Sequence, residues 1–355
     1  MWKDIVYDRR YFDEMNAMTA ENYGEDEITA NPEFVEYEYF KNPAGDAIIE
    51  LALDEEKNVL AGQYLVSPKF IYSKGETLKV ILSLNTLTRK EYRGQKIFTG
   101  LAEITYDRAS KEGYRFVYGA PNPNSHPGFL KKLNFKDLGY MALYLKPMNC
   151  KQMIKEKTGS RFLGAIASVG DLFFKTKKSD DSHIVKITDE NVKLMDEFWD
   201  DIRDKYPVIG VRNAEYISYR YLDVPIREYH PFFYIKDEKV IAYGVGRVLE
   251  IAGMTSGMIA DFLYINGYEN EAKELLNHLM NVMKKEKGAC LAGCLIQNAA
   301  EEAGILKKNG FIRCPEKLLP QPTPIIYRKL DPEYDDAIVK DWRNWFFTAG
   351  DYDVI

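Results

Sequence analysis

The chain contains one pattern twice, and that limits its possible folds more than any other feature. Residues 31–43 read NPEFVEYEYFKNP, and residues 213–225 read NAEYISYRYLDVP. Five of these thirteen positions are identical: Asn31/Asn213, Glu33/Glu215, Tyr37/Tyr219, Tyr39/Tyr221 and Pro43/Pro225. A second pair follows in the same order, FLKKLNF at 129–135 and ILKKNGF at 305–311. The offsets are 182 and 176 residues, so the order survives with a small net deletion. Ordered self-similarity at one long period implies two copies of one folding unit.

Between these anchors the halves read alike. LALDEEKNVLAGQYLV and FYIKDEKVIAYGVGRV each predict a strand, a charged turn and a second strand. GQKIFTGLAEITYDRASKEG places Ile97, Phe98, Leu101, Ile104 and Ala109 on one helical face, with Gly113 as a stop. ENEAKELLNHLMNVMKKEKG does the same with Ala272, Leu275, Leu276, Leu279 and Met283, ending at Gly288. Each unit thus predicts an α/β (α+β) fold, a mixed and mostly antiparallel central sheet with helices on both faces. The expected division is a first domain over 1–148, a helical connector over 149–182 and a second unit over 183–355.

Charge and composition narrow the function. The net charge of -6 speaks against nucleic acid, whose phosphates need a basic face. Cys150, Cys290, Cys294 and Cys314 form no CxxC pair, and the four histidines show no ligand spacing, so no metal is expected. The start, MWKDIVYDRRYFDEM, is charged throughout, and no apolar run approaches a membrane-crossing length. The expectation is a cytoplasmic protein with no membrane partner.

The segment TRKEYRGQKIF, residues 88–98, lies between an apolar strand pattern and the first amphipathic helix. Where a strand turns into a helix, main-chain N–H groups converge and the helix dipole adds positive charge. Arg89, Lys90, Arg93 and Lys96 surround that point, against a single acid, Glu91. The pattern suits a diphosphate carrying a further phosphate.

These residues resemble a known motif. LTRKEYRGQKIFTGL is similar to motif A of the GNAT acyl-CoA N-acyltransferase superfamily, and NPNSHPGFLKKLNF resembles the motif that follows it. The resemblance covers most of residues 1–148 and is fainter in the second unit. It implies two GNAT-like units and acyl-CoA, with acetyl-CoA the expected donor. It assigns the pyrophosphate to Arg93, Gly94, Gln95, Lys96, Ile97, Phe98 and Thr99. It assigns the pantetheine arm to Thr86, Leu87 and Thr88, with Asn122 or Asn124 beside that arm. Lys96 and Phe98 stand where the motif has small residues. Phe98 is expected to face the core, and Lys96 to hold the negative φ of an ordinary helix start. In the second unit, Glu269 and Glu271 replace the cationic clamp and would repel a diphosphate.

The implied activity is N-acyl transfer, most simply N-acetyl transfer, to a primary amine on a small molecule or peptide, by direct attack in a ternary complex. Family members often supply an acid from a tyrosine in the short helix, and Leu130 occupies that place. His126 is the expected substitute. The aromatic tail DWRNWFFTAGDYDVI can bury Trp342, Trp345, Phe346 and Phe347 and present an acidic tip that includes Tyr352 as a second catalytic candidate. Alternative readings are a non-catalytic acyl-CoA sensor or scaffold, and an aminoacyl transferase of the Fem type.

Overall fold

A computed structural model describes residues 2–158, 181–251, 253–319 and 321–352. Most of the expected connector, 159–180, lies outside them. The chain divides into two compact units. The first takes Met1–Gly139, Val224–Ile226 and Thr323–Trp342, and the second takes the remainder. The division therefore departs from a cut at residue 148.

In the first unit, β1 (Trp2–Val6), β2 (Ile48–Asp54), β3 (Val59–Ser73), β4 (Glu76–Thr88) and β5 (Phe116–Gly119) lie in that order. They pair antiparallel except for β4 with β5, which are parallel. The sheet also takes β14 (Pro324–Lys329), a strand from the far end of the chain, antiparallel on β5. Helices α1 (Phe12–Tyr23), α2 (Pro32–Phe40), α3 (Ile97–Lys111) and α4 (His126–Lys132) complete the unit. The stripe of α3 packs Ile97, Leu101, Tyr106 and Ala109 onto Ala52, Tyr64, Val66 and Val117 of the sheet. Burying such a stripe, at roughly 1.5–3 kcal/mol for each large side chain, is what holds the helix there.

In the second unit, β7 (Ile184–Lys186), β9 (His230–Lys236), β10 (Lys239–Ile251), β11 (Met254–Tyr264) and β12 (Leu291–Gln297) pair in that order, with only β11 and β12 parallel. The sheet takes β6 (Lys136–Pro147) antiparallel on β12, from Met141 opposite Gln297 to Pro147 opposite Leu291. Thus each half of the sequence gives its last long strand to the sheet built by the other half. Helices α5 (Cys150–Thr158), α6 (Leu194–Ile202), α7 (Ala214–Ile217), α8 (Glu269–Lys287) and α9 (Glu301–Lys308) belong to this unit, with short strands β8 (Val208–Gly210), β13 (Ile312–Arg313) and β15 (Trp345–Phe346). Each unit has a mixed sheet within an α/β fold with helices on both faces.

The repeated asparagines do the same work. Asn31 caps α2, its side chain accepting from the N–H groups of Glu33 and Phe34. Asn213 caps α7 by accepting from the Tyr216 N–H at 3.0 Å. An N-cap side chain satisfies a backbone donor that the helix itself cannot, worth about 1 kcal/mol.

Candidate active site

The site begins where two parallel strands separate. β4 pairs with β5 only from Ile81 to Ser83, opposite Val117 to Gly119. β4 continues to Thr88, still paired with β3 on its other edge. Its β5-side edge beyond Ser83 therefore offers main-chain groups with no strand partner among the described residues. A bulge sits in this stretch: Gln63 pairs with Leu87 and Leu65 with Leu84, so two residues face Tyr64. Asn85 takes φ 46° there, a conformation asparagine tolerates better than most residues. Its side chain donates to Tyr39 Oη at 2.6 Å and its carbonyl accepts from Gln63 Nε2 at 3.1 Å. A bulge of this kind increases local twist and re-aims the residues after it, here Thr86, Leu87 and Thr88.

The loop after Thr88 is supported from below. Tyr92, buried in a single 3-10 turn, donates to Asp54 Oδ2 at 2.7 Å. Two backbone N–H groups, of Glu56 and Lys57, also donate to Asp54. The Tyr92 bond is the main reason the Asp54 carboxyl sits below its ordinary value. Trp2 Nε1 donates to the Gln95 carbonyl at 3.1 Å and holds the outer strand of the loop.

Two residues then reverse the chain into α3. Gly94 has φ 83° and Lys96 has φ 62° and ψ 17°. The negative φ expected at Lys96 is thus not adopted. A left-handed non-glycine residue costs about 1 kcal/mol, and Lys96 sits where the resembled motif has a small residue. Its side chain points from an exposed position. No side chain caps α3, so the N–H groups of its first turn, Ile97, Phe98 and Thr99, have no partner from the helix itself. Thr99 Oγ1 donates back to the Lys96 carbonyl at 3.0 Å. Arg93, Gly94, Gln95 and Lys96 are all exposed around this nest. Arg89 is not part of it: it pairs with Glu21, and its Nε donates to the Leu60 carbonyl.

Phe98 turns inward as expected, its ring 5.7 Å from Tyr64 and 5.3 Å from Phe129. Phe129 belongs to α4, so this contact seats the short helix beside the start of α3. A Cβ on Gly128 would meet the Phe98 ring at 3.4 Å, an ordinary contact, so α4 lies close against that ring. Of the two candidate asparagines, Asn122 builds the turn: its Oδ1 accepts from the N–H groups of Asn124 and Ser125, both at 3.0 Å. Asn124 is exposed and contributes its N–H. His126 opens α4, with Nε2 2.6 Å from Asp137 Oδ1. Leu130 packs against the core cluster around Phe129 and Phe135, so an acid there would lose a core contact.

The second unit repeats the separation and fills it. β11 leaves β12 after Ile259, which pairs with Cys294, and runs on to Tyr264. The tail enters this gap: the Gln297 N–H donates to the Phe347 carbonyl at 2.8 Å, and Thr348 bridges Ile296. From the other side Thr348 Oγ1 donates to Asp261 Oδ1 on β11 at 2.9 Å. Arg212, fully buried, donates to Asp261 and to Asp351 Oδ2 at 2.7 Å, while Tyr243 donates to Asp261. Burial is the leading influence on Asp351 and raises its pKa, with the Arg212 guanidinium opposing it. Tyr216 donates to the Gly350 carbonyl at 2.5 Å, and Arg220 to the Tyr352 carbonyl at 2.9 Å. Tyr352 is 3% exposed and its ring stacks on Phe347, so it stands as an anchor of the tail. The acidic tip beyond it, 353–355, lies outside the described residues.

The start of α8 also differs from that of α3. Glu269 Oε1 accepts from the Gly267 N–H at 3.1 Å, and Glu271 pairs with Lys236 at 2.6 Å. The first turn of α8 thus carries two carboxylates, where the first turn of α3 carries none. Among the described residues no group of histidine, cysteine, aspartate and glutamate could hold a metal, and no helix is long and apolar enough to cross a membrane. Sequence reasoning missed the bulge at Asn85, the Tyr92–Asp54 support and the filled second gap. Only Asn85, an asparagine inside a β-rich run, carried a local signal.

Residues 7–137 match the family described as "Acetyltransferase (GNAT) domain". No curated protein matches the chain in sequence. Among solved structures it resembles Saccharomyces cerevisiae N-myristoyltransferase with bound myristoyl-CoA, at 11% identity and a TM-score of 0.63, over 92% of this chain and 82% of that one. It also resembles an Enterococcus faecalis V583 protein described as a probable N-acyltransferase, at 13% identity and a TM-score of 0.62, over 93% and 73% of the two chains. An Anabaena variabilis GCN5-related N-acetyltransferase is similar at 10% identity and a TM-score of 0.58, over 93% and 73%. The chain thus shares the fold of these solved structures, and its residues 7–137 match the GNAT domain family.

Proposed function

We propose that the chain is an N-acyltransferase that takes an acyl group from acyl-CoA, acetyl-CoA in the first instance, and passes it to a primary amine in a ternary complex. One observation carries this reading. β4 runs beyond its last pair with β5, at Ser83, and ends at a turn whose two left-handed residues open an uncapped helix. The edge at Thr86–Thr88 can pair with an extended amide chain such as pantetheine. The turn, Arg93 to Thr99, can take its diphosphate through main-chain donors and the helix dipole.

The chemistry asks three things of the site. The neutral amine nitrogen attacks the thioester carbonyl and forms a C–N bond. The tetrahedral oxyanion then needs hydrogen-bond donors, which the β4 edge can offer. Collapse breaks the C–S bond; the nitrogen gives up one proton as the amide forms, and the departing thiolate takes one up to leave CoA as a thiol. His126, oriented by Asp137, is the proton carrier proposed here. The rings of Tyr64, Phe98 and Phe129 crowd the interior below the first turn of α3, which favours a short acyl group.

The test is calorimetric titration of acetyl-CoA into the wild type and into Gly94→Asp, followed by thioester cleavage over a panel of amines. The variant should lose binding. A Cβ at Gly94 would meet nothing within 4 Å, so its effect comes from backbone strain and negative charge. Binding that survives Gly94→Asp would refute the assignment of the loop. Leu130 in place of an acid favours one other reading, an acyl-CoA sensor, and binding without cleavage on any amine would select it.

A further inference from the structure

Three hydroxyl groups meet at the point where β4 and β5 part. Ser83 is the last β4 residue paired with β5, opposite Gly119, and it is partly exposed. Its Oγ lies 3.3 Å from Tyr64 Oη on β3, and Tyr64 Oη bonds in turn to Tyr106 Oη on α3. Both rings are at most 1% exposed and belong to the apolar core beneath α3. Burial raises both phenols above the ordinary tyrosine value, so each keeps its hydrogen at neutral pH. Strand alternation sets the face: Ile81, two residues before Ser83, is buried in the same core. A Cβ on Gly119 would lie 3.6 Å from Ser83 Cβ, so glycine there keeps β5 from placing a side chain beside the serine.

The hydrogens of these three groups can be ordered. A hydroxyl donates once and accepts up to twice. A phenolic hydrogen left without an acceptor in an apolar core is costly. If Tyr106 donates to Tyr64 and Tyr64 to Ser83, both buried hydrogens are satisfied and the serine hydrogen is left over. The reverse order would leave the Tyr106 hydrogen in the core beside Phe135. Among the described residues the serine hydroxyl has no acceptor besides these phenols. It can therefore turn its hydrogen to the gap that opens where β5 ends its pairing. From Thr88 back to Ser83 the β4 edge runs roughly 16 Å, at about 3.3 Å per residue.

We propose that Ser83 is a catalytic residue of the acyl transfer: its hydroxyl donates to the thioester carbonyl oxygen and stabilises the oxyanion that forms there, while Tyr64 and Tyr106 fix the direction of that hydrogen. This rests on the acyl-CoA reading above, in which an arm held at the loop and paired along β4 ends with its thioester near Ser83. No proton changes hands at the serine; the hydrogen bond strengthens as charge builds on the oxygen. The test is steady-state kinetics on an amine accepted by the wild type, with calorimetric titration of acetyl-CoA into each protein. Ser83→Ala should lower kcat about a hundredfold, the range for loss of one oxyanion donor, with KM and affinity for acetyl-CoA changed by less than about twofold. Ser83→Thr keeps a hydroxyl and should recover kcat to within about tenfold of the wild type. Tyr64→Phe removes only the positioning hydroxyl and should cost about three- to tenfold in kcat, with KM unmoved. Circular dichroism confirms each fold, and Ser83→Cys, a weak donor of similar size, repeats the test if alanine unsettles the strand. Equal kcat in the wild type and the folded variant would overturn the proposal and leave the acyl-CoA reading standing, as would a loss confined to acetyl-CoA binding. A wild type that binds no acetyl-CoA, or cleaves it with no amine, would overturn both.

Discussion

Tyr92 donates its hydroxyl to Asp54 at 2.7 Å, and this bond ties the candidate CoA loop to the β2–β3 hairpin. The two residues are 38 apart in sequence and both are buried. Because the bond favours the ionised carboxylate, it holds Asp54 below its ordinary pKa. The associated stability is therefore fully present above the unfolded value, about 4. It is lost as pH falls through the lower folded value. Tyr92→Phe should remove that part of the acid dependence and leave neutral-pH structure intact, as measured by circular dichroism between about pH 2 and pH 7. An unchanged acid transition in the variant would contradict it.

Lys96 combines a strained backbone with a useful charge. Lys96→Gly should leave stability unchanged or raise it by up to about 1 kcal/mol, because glycine takes a left-handed φ freely. Loss of an exposed ammonium should weaken acetyl-CoA binding about two- to fivefold at low salt and flatten its salt dependence. Chemical denaturation and calorimetry at two salt concentrations check both. Tighter binding would instead mean that the lysine side chain obstructs the site.

His126→Ala should lower kcat by about a hundredfold or more if the imidazole moves the proton, with KM for acetyl-CoA little changed. Asp137→Asn removes only the partner that orients the ring, 2.6 Å away, and should cost less. Steady-state kinetics on an amine accepted by the wild type decides it. Equal kcat in all three proteins would exclude His126.

Arg212 serves two buried carboxylates, Asp261 and Asp351. Arg212→Met leaves both without their cation and should destabilise the protein by about 3–5 kcal/mol. Urea unfolding gives the magnitude. A loss below about 1 kcal/mol would show that the tail is held by its aromatic residues alone, Trp345, Phe346 and Phe347, each at most 1% exposed.

Much of this protein was set by local sequence. The doubled NPEFVEYEYFKNP pattern marked a helix start in each unit, and its asparagines cap helices in both because an N-cap needs only its own next three residues. The stripe of α8 followed from helical period, and that of α3 did so except that Tyr106, not Ile104, is buried in it. Tertiary structure decided what depends on distant partners. No periodicity tells β6 to finish the second sheet or β14 the first, because an edge strand is chosen by which backbone lies beside it. Nor does composition reveal that Thr348 and Asp351 fill the second gap while the β4 edge beyond Ser83 has no strand partner on the β5 side among the described residues. That difference rests on Arg212 and Asp261, 49 residues apart, whose buried charges are tolerable only when the fold brings them together with the tail.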